Sequence, residues 1–261
     1  MIRVGVFGAG GRMGTTVCQA VVDDPGLELA AAVDPFHAGL DLRQVNGIAE
    51  HLQMAPGPEA LLAANVQVAV DFTQVDAARE NVAWLAENGI HAVVGTTGFT
   101  DADLDDFRAA FTSSNCVIAP NFATGAILMM RFAELAAPYF ETAEIIELHH
   151  DQKVDAPSGT AMLTAQRMAE ASADWAPDPT VEEVVPGARG GKGPAHIPIH
   201  SVRMRGMVAH QEVLLGTTGQ TLSLRHDTYD RSSFMPGVLL AVRKVAEHPG
   251  LTLGLDDLLD L

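Results

Sequence analysis

The stretch Glu147-Leu-His-His-Asp-Gln-Lys-Val-Asp-Ala-Pro-Ser-Gly-Thr-Ala161 concentrates proton-transfer and anion-binding groups. His149 and His150 titrate near neutrality, where an imidazole can act as acid or base. Lys153 follows three residues on and is one of only three lysines in the chain. Ser158, Gly159 and Thr160 offer hydroxyls and free backbone N–H groups where a helix begins, a setting suited to a carboxylate. Ser158 also reads as a plain helix cap, and a histidine pair as metal ligands. Adjacent strand residues point to opposite faces, so one ion would struggle to take both histidines. No nearby carboxylate or cysteine completes a ligand spacing, and no metal is expected.

A second constellation opens the chain. Gly8, Ala9, Gly10, Gly11, Arg12, Met13 and Gly14 follow an apolar run and lead into a helical pattern. Glycines there allow positive φ or close approach of the backbone to a pyrophosphate, and the helix start offers unpaired N–H groups. Alone, such a pattern marks only a tight turn. Asp34, which ends the next apolar run about 20 residues on, makes it a dinucleotide fingerprint, with the acid accepting from ribose hydroxyls. Pro35, Phe36 and His37 follow in place of an Arg for a 2′-phosphate. NADH is therefore expected to serve at least as well as NADPH. Gly95, Thr96 and Thr97, and likewise Ala119, Pro120, Asn121 and Phe122, stand at later strand ends, where ligands bind in open α/β sheets. Ordinary turn chemistry would also place such residues there.

These groups need a scaffold, and the hydropathy pattern supplies one. Apolar runs at Ile2–Phe7, Leu27–Val33, Val66–Phe72, Ile90–Val94 and Asn115–Ala119 alternate with helical patterns at Arg12–Val22, Val75–Asn88 and Asp101–Phe111. That alternation predicts a Rossmann-type, doubly wound parallel sheet. After a helix at Gly125–Pro138 come a strand at Ala143–His149 and a helix from Ser158. A Pro-rich linker (Ala173–Thr180) precedes three closely spaced strands, His196–Met204, Met207–Leu215 and Thr221–Thr228. With Gly206 and Gly219 at the turns, these predict an antiparallel meander in a second α+β domain. A last helix, Arg231–Glu247, returns to the first. The expected division is 1–122 plus 231–261 for the dinucleotide and 123–230 for substrate binding and oligomerisation.

Taken together, these motifs resemble the dihydrodipicolinate reductase family over essentially the whole chain. The likeness rests on Gly8–Gly14, Val94–Phe99, Ala119–Phe122, the 147–161 core, Arg189-Gly, His200–Arg203 and Gly206 to Glu212. It implies hydride transfer from NADH or NADPH to a cyclic imine dicarboxylate, with loss of water, in lysine and diaminopimelate biosynthesis. It further implies His149 as proton donor, Lys153 as a proton donor that also meets a carboxylate, and His150, Gly159 and Thr160 as substrate holders. Arg203 would assist the dianion or be structural. A homotetramer is the family's usual assembly. Pro35 departs from members that favour NADPH and carry an Arg there. A silent NAD-binding sensor or another amino-acid-pathway dehydrogenase are the competing readings, and neither accounts for the 147–161 cluster.

Composition narrows the partners. The 261 residues carry a formal charge of −17, with 33 acids against 16 bases, which repels nucleic acid and anionic membranes. No run nears the roughly 18 apolar residues of a membrane span, and with no leader pattern a cytoplasmic location is expected. Cys18 and Cys116 lie in apolar surroundings and read as buried thiols. Val184–Gln211 contains no acid, so it is expected to be a basic island that draws anionic ligands to the second domain.

Overall fold

The computed structural model describes residues 1–48 and 51–260. In chain order the elements are β1 (Ile2–Phe7), α1 (Arg12–Asp23), β2 (Leu27–Val33), α2 (Leu42–Asn46), α3 (Glu59–Ala63), β3 (Val68–Asp71), α4 (Val75–Glu87), β4 (His91–Val94), α5 (Asp101–Ala110) and β5 (Cys116–Ile118). There follow α6 (Thr124–Ala136), β6 (Thr142–His149), α7 (Gly159–Ala171), β7 (Gly191–Lys192), β8 (Pro198–Arg203), β9 (Ala209–Thr217), β10 (Gln220–Thr228), α8 (Met235–Lys244) and β11 (Leu251–Leu253). Two compact units result, Met1–Thr124 with Arg231–Leu261 and Gly125–Asp230.

The first unit is built on a parallel six-stranded sheet in the order β11-β5-β4-β3-β1-β2. Its central strands are apolar on both faces because helices cover both; β3 and β5 are buried throughout. Phe7, Leu61, Val82, Leu85, Phe107 and Phe111 anchor one packed layer. The chain winds outward from β1 to β2 and then reverses to β3, so β1 and β3 flank the switch point at which such sheets open a crevice. The doubly wound expectation is met, with one strand more than expected. β11 is only Leu-Thr-Leu, hemmed by Gly250 and Gly254, too short to show a period. The expected single helix at Arg231–Glu247 is α8 flanked by two 3-10 turns, with Pro236 in its first turn.

The second unit holds a five-stranded sheet in the order β10-β9-β6-β8-β7. Residues Ala133 and Ala137 at the end of α6 and Ala161, Ala165 and Met168 of α7 pack on Ile145, Ile199, Val213 and Leu215. The sheet is mostly antiparallel, as expected, but the meander is a correction. β9 and β10 form the hairpin, whereas β8 and β9 do not pair; β6 lies between them, parallel to β8 and antiparallel to β9. The cause is the connection through α7, which returns the chain beside β6 in the same direction, as a βαβ crossover does. The link at Gly206 then passes the end of β6, where the Met204 N–H donates to the His149 carbonyl at 3.0 Å. No helix among the described residues is long and apolar enough to cross a membrane.

Candidate active site

In the second unit, β6 presents Glu147 and His149 on one face, as residues two apart on a strand must. Glu147 is fully buried. Its carboxylate takes both terminal nitrogens of Arg203 at 2.9 and 2.8 Å, meets Nδ1 of His149 at 2.5 Å, and accepts from the Ser158 N–H at 3.3 Å. Burial alone would push this carboxyl up, but hydrogen bonds from Arg203, Ser201 and His149 together hold it below the ordinary carboxylate range. Burial pulls the His149 imidazole below the ordinary histidine value, with Glu147 opposing and Lys153 and Arg203 adding to the fall.

Ser158 caps α7, its hydroxyl accepting from the Ala161 N–H at 3.2 Å, and is itself buried. The plain-cap reading is therefore right for its side chain. Gly159 and Thr160, by contrast, stand at the helix start with solvent access, and a Cβ at Gly159 would meet nothing within 4 Å. Lys153 reaches both oxygens of Asp155 at 2.8 Å, and His150 is exposed. The cluster thus joins an acid-base group, a cation held by an exchangeable carboxylate, and an open helix N-terminus.

Most cations of the acid-free segment are paired, which narrows the sequence expectation of a basic island, while Lys192 stands exposed. Carboxylates from elsewhere in the chain engage its cations: Glu144 takes Arg189 and His200, Asp151 takes Arg205, and Asp227 takes His210. Arg203 is spent on Glu147, Val202 O and Asp155 O.

In the first unit the glycine loop fits a dinucleotide phosphate. A Cβ on Gly14 would lie 2.0 Å from the Gly8 carbonyl oxygen, and one on Gly10 would lie 2.8 Å from Asp34 Oδ2. Gly11 caps α1 without a side chain, and its first turn carries no acid, leaving the N–H groups of Arg12, Met13 and Gly14 for an anion. Asp34 is buried; Oδ2 accepts from Gly10 N at 2.9 Å and Oδ1 from Phe36 N at 3.0 Å. It therefore fixes the loop. Ala9 is buried beneath, and Arg12 is exposed beside it.

At the neighbouring strand ends, Gly95 N donates to Asp71 O at 2.9 Å and Ala119 N to Val94 O at 3.0 Å. Thr96 is buried, its hydroxyl donating to Thr73 O at 2.8 Å, while Thr97 and Pro120 are exposed. The side chain of Asn121 accepts from Ala123 N at 2.9 Å, and Phe122 is buried against Phe72, ring centroids 5.5 Å apart.

Sequence reasoning missed the residues that join these ends. Phe72 fills the space a Gly95 side chain would need, at 1.9 Å, and Thr73 lies 3.0 Å from a Cβ on Gly8. Behind them the buried Asp71 carboxylate, raised by burial, accepts from Thr73 N, Thr73 Oγ1 and Asn81. An acid ending a buried strand, as Asp34 does, was the available signal. Asn46, which donates to Ala9 O at 2.9 Å, carried none. Among the described residues no group of three or more His, Cys, Asp or Glu could hold a metal ion.

A parallel sheet with a glycine-loop cradle, joined in one chain to a second unit bearing a buried acid-base pair, defines a nicotinamide-dependent oxidoreductase of Rossmann type. Comparison with known proteins narrows the class. The description "Dihydrodipicolinate reductase, N-terminus" matches residues 2–122 and "Dihydrodipicolinate reductase, C-terminus" residues 125–259. The chain is 48% identical over 268 residues to 4-hydroxy-tetrahydrodipicolinate reductase of Corynebacterium urealyticum, and 50% identical over 264 residues to that of Mycobacterium marinum, covering 100% of both partners in each case. A solved structure, dipicolinate-bound dihydrodipicolinate reductase from Paenisporosarcina sp. TG-14, superposes with a TM-score of 0.87 at 41% identity, covering 98% of this chain and 99% of that one. The chain belongs to the dihydrodipicolinate reductase family.

Proposed function

We propose that the chain reduces 4-hydroxy-tetrahydrodipicolinate to tetrahydrodipicolinate, with loss of water, in lysine and diaminopimelate biosynthesis. The nicotinamide cofactor, NADH or NADPH, supplies the hydride when bound. Gly8–Gly14 and Asp34 hold its pyrophosphate and ribose, and Gly95–Thr97 with Ala119–Phe122 border its nicotinamide end. The observation that carries the reading is the buried Glu147 that holds His149 and the start of α7 together at 2.5 and 3.3 Å. On this reading one support carries the proton donor and the carboxylate site. His149 gives the proton that the reduced carbon skeleton needs, and Lys153 exchanges Asp155 for a substrate carboxylate. Gly159 and Thr160 take a carboxylate at the helix start, with His150 beside them. Arg203 acts behind Glu147.

The dipicolinate held by the Paenisporosarcina relative supports a small dicarboxylate as substrate. Further, we assign a cytoplasmic homotetramer, assembled through the sheet face opposite α6 and α7, where Ile146, Leu148, Val202 and Leu214 remain half-buried. Light scattering that gives a monomer mass would reject the assembly. The activity test follows nicotinamide absorbance with substrate generated by the preceding synthase. Oxidation of NADH at least as efficient as that of NADPH is expected; no oxidation of either cofactor rejects the function.

A further inference from the structure

We propose that Glu147 is the positioning residue of the proton donor, presenting His149 with Nδ1–H turned to its carboxylate and Nε2 turned outward. The proposal rests on the reading of His149 as that donor. Glu147 Oε2 meets Arg203 and His149 Nδ1, Oε1 meets Arg203 and Ser158 N, and Ser201 adds a further side-chain hydrogen bond. A carboxylate has about four acceptor sites, so these partners leave it no free lone pair to take a proton. It is fully buried and faces Arg203 across β6 and β8 with two nearly equal bonds, which keeps it ionised. The proton between Glu147 and His149 therefore sits on Nδ1, and neutral His149 keeps a lone pair on Nε2. When the imidazole takes a second proton it is carried on Nε2, and that N–H bond is the one broken on transfer to substrate. His149 returns to neutral and Glu147 stays an anion throughout.

The same carboxylate explains why Arg203 is paired away from solvent. Without it Glu147 would be a buried lone charge. With it the pair is neutral overall, and Glu147 both orients the imidazole and opposes the burial that pulls His149 below the usual histidine value. Arg203 also donates to the Asp155 carbonyl at 2.7 Å, and the Asp155 side chain holds Lys153. One buried acid thus ties together the proton donor, the start of α7 and the loop that carries the lysine.

Nitrogen-15 histidine NMR on the wild-type protein reads the tautomer without any substitution. The neutral form of His149 is expected as Nδ1–H; a neutral Nε2–H form overturns the proposal. Glu147→Gln removes the anion and is expected to lower kcat by about 10²-fold, the scale of lost orientation, with a smaller change in KM. It should also move the His149 limb of the pH–rate profile to lower pH, and Glu147→Asp should restore part of the rate. An unmoved limb overturns the proposal, since a merely structural loss would leave it in place. His149→Gln separates the two failures. Wild-type turnover there removes the proton-donor reading and this proposal with it. A fall there alongside an unmoved limb in Glu147→Gln removes the proposal alone.

Discussion

Lys153, proposed to meet a substrate carboxylate, is already paired: both Asp155 oxygens lie 2.8 Å from its ammonium, on a side chain that is 58% exposed. Pairs this open contribute only about 0–1 kcal/mol, so a dicarboxylate can displace Asp155 at small cost. Asp155→Asn should therefore lower KM for substrate by about fivefold at most with little change in kcat, measured by steady-state kinetics. A raised KM would mean that Asp155 contributes to binding directly. Lys153→Ala should cost about 10²-fold in turnover. His149, His150 and Lys153 were legible because their chemistry lies within five consecutive positions. The role of Glu147 was only half legible. Its Glu-x-His spacing on a strand signals a shared face, but its partner Arg203 is 56 residues away, a contact that only the sheet register reveals. For the same reason the sequence left Arg203 open between assisting the dianion and a structural place.

The elements carry tighter constraints than the side chains they present. A methyl at Gly14 would sit 2.0 Å from the Gly8 carbonyl, so Gly14→Ala must spread the loop from α1. Overpacking of this kind costs about 1–3 kcal/mol, and calorimetric titration should show NADH affinity down by about tenfold or more. Unchanged affinity would mean that the loop is not the phosphate cradle. At the other helix start, Ser158→Ala removes the cap of α7 and should lower unfolding stability by about 1 kcal/mol, read from denaturant midpoints. The strands of the first unit were legible because burial on both faces makes each a continuous apolar run, as β3 with all four residues buried illustrates. β8 and β9 misled because a glycine turn between two apolar runs looks the same whether it joins neighbours or spans an intervening strand. Only pairing with β6 distinguishes the two.

For the whole molecule, the charge of −17 disfavours polyanions, and most cations of the acid-free segment are paired. Pairing within the second unit engages Arg189, Arg203 and Arg205 of the 184–211 segment, while Lys192 stands exposed. Both thiols are sealed in the core of the first unit; burial pushes Cys18 up to about 12 and Cys116 higher. Thiol reagents should modify neither until the unit unfolds, and fast labelling of the native protein would contradict the packing. This chain is expected to pass hydride from a nicotinamide cofactor and a proton from His149 to one dicarboxylate substrate. The most direct measurement compares wild type with His149→Gln in the synthase-coupled assay, following NADH oxidation at saturating substrate. Robust turnover is expected in the wild type and a fall of about 10²-fold or more in the variant, with KM little changed. Equal turnover in the two proteins would contradict it.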